Sequence, residues 1–185
     1  DAVLPLVARS AHPRGPTILV QLDNEIGMVH WLQKAADYGS GTERMYREFL
    51  RDRYGDDLAR LNAAHGSSWR AFEEVVQPAS GDDRQDPRLL RDWMAFYQSY
   101  YADYFGTLHA RYVAHGLTLP VMANIPQFYD FDVRGRGVFA PMTSMMFRDF
   151  PARVPGVMFG GAYQMRRLDH ENFHDIAITT EVLRM

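Results

Sequence analysis

Four short apolar runs, at residues 18–22, 119–123, 157–159 and 176–180, each give way to polar groups or glycine, and helix-like segments and loops lie between them. Runs that are mostly apolar, without alternation, suit strands buried on both faces, as in a parallel sheet covered by helices. Strands that alternate with helices imply right-handed βαβ units, so the chain is expected to be α/β. The first run is the most explicit. Thr17 to Gly27 reads TILVQLDNEIG, and the apolar stretch breaks directly into Asp23, Asn24 and Glu25. Consecutive polar groups at the C-terminal end of a buried parallel strand are the expected form of an active-site rim.

Between the runs, the predicted helices have recognisable ends. DAVLPLVARS at the start resembles a helix end, and Pro13, Gly15 and Pro16 punctuate the turn after it. A loop is expected over 38–42, with Thr42 capping a helix that begins near Glu43 and stops at Gly55. A short helix is expected over 57–64, ended by Gly66, and a polar surface loop over 79–87. The longest helical pattern runs from Arg88 to His115 and is stopped by Gly116. Tyr97, Tyr100, Tyr101, Tyr104 and Phe105 fall at helical spacing within it and are expected to pack the helix. Loop is expected over 128–137 and a short helix over 143–148.

The 185 residues are 46% hydrophobic and 23% charged, ordinary values for a globular domain. A net charge of -3, with Lys and Arg dispersed, gives no footprint for nucleic acid. No apolar run approaches the roughly 18 residues of a membrane span, and no signal peptide is visible. The location is left open, with a cytoplasmic one favoured. The absence of cysteine removes disulfides, thiolate zinc sites and cysteine nucleophiles.

QLDNEIG resembles the strand-4 signature of retaining glycosidases built on the (β/α)8 barrel, above all the β-galactosidase families 42 and 35. The segment YREFLRDRYGDDLARLNAAHGSSWRAF (46–72) is similar to the stretch after strand 4 in those families: a helix ending in Tyr-Gly, then Leu-Asn, Gly and Trp. The resemblance covers most of the chain between residues 10 and 184. It implies a partial TIM barrel, strands 4 to 7 with their helices, with residues 1–185 forming an incomplete glycoside hydrolase catalytic domain. A complete barrel takes about 250 residues, so the chain reads as an internal piece of a longer enzyme.

The resemblance also implies a mechanism. Retaining glycosidases use two carboxylates about 5–5.5 Å apart. Glu25 matches the acid/base, and Asn24 the sugar-binding amide beside it. Glu181 ends the run IAITTE and takes the nucleophile's position at the end of strand 7. Tyr163, just beyond strand 6, is placed to donate a hydrogen bond to Glu181 or else to pack as an aromatic. Asn124, at the end of strand 5, is a further substrate-binding candidate, although the IPQF after it departs from the family pattern. The implied substrate is a terminal β-galactoside. No cofactor is implied, nor nucleic acid or a membrane as partner, and a homo-oligomer of the full-length enzyme is compatible.

A second motif competes. Residues 170–174 read His-Glu-Asn-Phe-His, the H-E-x-x-H pattern of zinc metallohydrolases. It works only on a helix that aims His170 and His174 at one metal, with Glu171 as base and a third ligand downstream. The chain turns strand-like within two residues of His174, and Asn172 and Asp175 suit a turn. A structural or solvent-exposed role for these histidines is therefore expected. A non-catalytic carbohydrate-binding barrel is the remaining alternative.

Overall fold

The computed structural model describes residues 2–24, 26, 37–78, 86–125 and 148–161. Their elements run α1 (Leu4–Ser10), β1 (Val20–Asp23), α2 (Ser40–Tyr54), α3 (Leu58–His65), a 3-10 turn (Phe72–Glu74), α4 (Pro87–Ala114), β2 (Val121–Ile125) and β3 (Met158–Gly161). Residues 148–153 are also helical. The strands form one parallel sheet in the order β1-β2-β3. Three of the four expected strands are thus parallel, adjacent and in the expected order. The fourth, at 176–180, lies outside the described residues, as do the loop at 128–137, most of the expected helix at 143–148 and most of the surface loop at 79–87.

Strands β1 and β2 begin two residues later than their apolar runs. Pro120 has no N–H to give to a ladder. Its carbonyl instead accepts from Val20 N at 3.0 Å, and regular pairing starts at Val20 opposite Val121. Leu119 is outside the ladder, and its carbonyl accepts the Tyr112 hydroxyl at 3.0 Å.

Thr42 is not the helix cap. Helix α2 starts three residues earlier than expected, with Gly39 at the N-cap, and Thr42 lies buried in its first turn. No side chain caps α2; the Asp37 carboxylate instead takes the Gly39 N–H at 2.8 Å and the Thr42 hydroxyl, tying the approach segment to the first turn. Those two bonds hold the Asp37 carboxyl below the usual carboxylate range. The sequence signal was an ordinary N-cap threonine, but the Thr42 hydroxyl donates to an aspartate five residues upstream.

The helix C-termini follow the sequence closely. Gly55 and Gly66 close α2 and α3 in the left-handed conformation, with φ of 66° and 64°. Helix α4 is capped by the Asp86 carboxylate and ends at Ala114 before Gly116, φ 75°.

The core lies between α2, α3 and α4 and continues under the sheet. Tyr46, Leu50, Leu61, Trp93, Phe96 and Tyr97 are buried together, and Phe96 meets Tyr46 edge-to-face at 5.2 Å. Phe105 stacks on Phe150 at 4.8 Å, joining α4 to residues 148–153. Val121 and Ala123 are buried, while Met122 and Asn124 on the other face of β2 are partly open. No described helix is long and apolar enough to cross a membrane.

Candidate active site

The C-terminal ends of β1 and β2 meet through their asparagines. Asn124 Nδ2 donates to Asn24 Oδ1 at 2.9 Å, across one hundred residues of chain. Gln21 Nε2 donates to the same oxygen at 3.2 Å. Two donors on one carbonyl oxygen fix the Asn24 amide with its NH2 directed away from them. Asn24 is exposed and Asn124 partly so, and on β3 Asn124 lies opposite Gly160 in register.

The register between β1 and β2 shifts between Gln21 and Asp23, an irregularity of the β-bulge kind. Such a shift re-aims the residues after it and is common at rims next to active sites. Asp23 is turned to the helix side. Its Oδ1 accepts the Asn24 backbone N–H at 2.7 Å, and its Oδ2 accepts the Tyr104 hydroxyl at 2.9 Å from α4. Burial, with the neighbouring Asp23 carboxylate, raises the Tyr104 hydroxyl above the ordinary tyrosine value. Tyr104 was expected to pack the helix with its neighbours. Tyr97 and Phe105 do so, but Tyr104 is 42% exposed and spends its hydroxyl on the strand end. Helical spacing alone carried no signal for that contact.

A second network holds the Asp37 backbone ahead of α2. The Asp37 carbonyl accepts Gln77 Nε2 at 3.0 Å and the Tyr97 hydroxyl at 2.9 Å. Buried Gln77 in turn accepts from Tyr97 at 2.9 Å and Trp93 Nε1 at 3.3 Å.

Glu25, Tyr163 and Glu181 lie outside the described residues, as do His170, Glu171 and His174 of the competing motif. Among the described residues, no group of His, Asp and Glu is disposed to hold a metal ion. A groove of about 470 Å³ exists elsewhere, among α2, α4 and residues 148–153, lined in part by Phe49, Arg53, Arg91 and Arg148. Every lining residue lies on the helices.

A family model described as β-galactosidase, glycoside hydrolase family 42, matches residues 9–148. The chain belongs to this family. The matched stretch includes all of β1, the Asn24–Asn124 contact and Tyr104. Among curated proteins, a β-1,2-glucosyltransferase of Ignavibacterium album is 24% identical over 185 residues, 99% of this chain and 25% of that protein. The β-galactosidase Pbg of Clostridium perfringens is 30% identical over 118 residues, 58% of this chain and 16% of that protein. The chain therefore spans a quarter or less of the length of these relatives.

Proposed function

We propose that this chain forms part of a (β/α)8 barrel glycosidase that cleaves terminal β-galactosides with retention of configuration. The reading rests on family 42 membership, together with one observation: Asn24, the neighbour of Glu25 in sequence, is locked at a strand end with its NH2 free of its fixing partners. In the proposed reaction, Glu25 protonates the leaving oxygen while Glu181 attacks the anomeric carbon. Glu25 then removes a proton from the water that releases the sugar. The Asn24 NH2 donates to a sugar hydroxyl beside the reacting carbon, and Tyr163 holds Glu181 ionised.

The test uses the complete polypeptide. Glu25→Gln should lose most activity on an unactivated disaccharide, by about 10²-fold or more. Glycosylation by an activated aryl glycoside should suffer less, and azide should restore turnover. A 2-fluoro galactoside should label Glu181, read by peptide mapping. Normal disaccharide hydrolysis by Glu25→Gln would remove Glu25 from the role, whereas a wild type inert on every glycoside would favour the non-catalytic barrel. A label on another carboxylate would remove Glu181. Zinc bound at unit stoichiometry, and needed for turnover, would favour the His170-Glu171-x-x-His174 reading instead.

A second reading is favoured by the relative that matches almost the whole chain and is named a β-1,2-glucosyltransferase. The same covalent intermediate can be released by a sugar hydroxyl in place of water. Supplying an acceptor sugar with the activated donor, and resolving the products, separates the two: free sugar marks hydrolysis, and a β-1,2-linked disaccharide marks transfer.

A further inference from the structure

We propose that Tyr104 is a positioning residue for the Asn24–Glu25 segment, acting through Asp23. The inference rests on the glycosidase reading for its catalytic consequence but on geometry for the clamp itself. A carboxylate can only accept, so the direction of both bonds at Asp23 is fixed: Tyr104 donates to Oδ2 at 2.9 Å and the Asn24 N–H to Oδ1 at 2.7 Å. The Asp23 side chain therefore ties the backbone of the residue before Glu25 to helix α4.

The tie is placed where the strand needs it. β1 shifts register with β2 between Gln21 and Asp23 and pairs again only at Asp23, opposite Ala123, so Asn24 leaves the strand from an irregular end. Asn124 and Gln21 fix the Asn24 side chain, and Asp23 fixes its backbone. The anchor is firm on the helix side. Phe105, the next residue of α4, is fully buried against Phe150, and Ala102 is fully buried as well. A half-exposed tyrosine on a well-packed helix thus bonds to the end of an irregular strand. A small displacement of an acid catalyst costs far more in rate than in stability.

Tyr104→Phe in the complete polypeptide removes the bond and keeps the ring. Hydrolysis of an unactivated disaccharide should fall about tenfold in kcat, with KM within about twofold. An activated aryl glycoside, whose leaving group needs little protonation, should lose less than about twofold at the glycosylation step. Asp23→Ala should reproduce that leaving-group pattern, and the double variant should be no worse than Asp23→Ala alone. Asp23→Asn should recover most of the activity, because its amide can accept the Asn24 N–H and donate to the Tyr104 oxygen. In parallel, hydrogen exchange of a peptide covering residues 18–26 should quicken in Tyr104→Phe. That arm reports on the clamp whether or not the protein cleaves galactosides. Equal losses on both substrates, or additive single variants, would overturn the positioning role. Unchanged exchange would overturn the clamp. Wild-type protein inert on both substrates would instead defeat the glycosidase reading, and exchange would still decide the clamp.

Discussion

Asp92 is a charge placed inside the helical core with its partners around it. Its carboxylate accepts the Tyr54 hydroxyl at 2.6 Å, meets His65 Nε2 at 2.7 Å and pairs with Arg53 at 2.9 Å, with only 1% of the residue exposed. Burial alone would raise its pKa. The bonds from His65 and Tyr54 and the Arg53 charge outweigh that, and the carboxyl sits below its ordinary value. A lowered folded value means that the contribution to stability is complete above the unfolded value, about 4, and is lost as pH falls through the folded value. Asp92→Ala strands Arg53 and His65 and should cost about 3–5 kcal/mol, read by denaturant unfolding of the complete polypeptide. It should also flatten the acid limb of stability below about pH 4; an unchanged acid limb would deny Asp92 this role. None of this was legible in sequence, where Asp92 is one charge among many on a long helix. By contrast, Asn24 and Asn124 were picked out from their strand-end positions, and they do meet.

The elements are set largely by local chemistry. Glycines in the left-handed conformation end α2 and α3, and that stop signal is readable because an L side chain is strained there. Gly55→Ala isolates the effect: φ is 66°, and an added Cβ would meet nothing nearer than the Arg60 guanidinium at 3.8 Å. The cost should be about 1 kcal/mol, all of it backbone, seen as a small drop in thermal midpoint with unchanged activity. A loss well beyond that would mean the turn carries more than a helix stop. Helix starts were less readable. Thr42 had the right residue type for a cap, but Gly39 holds the N-cap and the Thr42 hydroxyl goes to the Asp37 carboxylate, which also takes Gly39 N–H. Strand starts moved for a similar reason, since the missing N–H of Pro120 delays the ladder to Val20.

At the scale of the whole molecule, β1 has no strand on its outer side among the described residues. Apolar groups lie open beside it: Val3 is 63% exposed, Leu6 57% and Ile18 69%. An unpaired apolar edge invites association. The 185-residue chain expressed alone should self-associate, by light scattering, and show no glycosidase activity. A monomer that melts cooperatively would overturn this expectation. The sequence by itself determined the α/β class, three strands in parallel order, the glycine-ended helices and the family, because these follow from hydrophobic run length, backbone strain and motif, all local properties. Tertiary structure alone decided that Asn124 donates to Asn24, that Asp92 is a satisfied buried charge and that Tyr104 leaves its helix neighbours to hold Asp23. These contacts join residues 27 to 100 positions apart. A side chain that can pack, donate or accept shows in sequence which bonds it can make, while only the folded chain brings one partner within 3 Å.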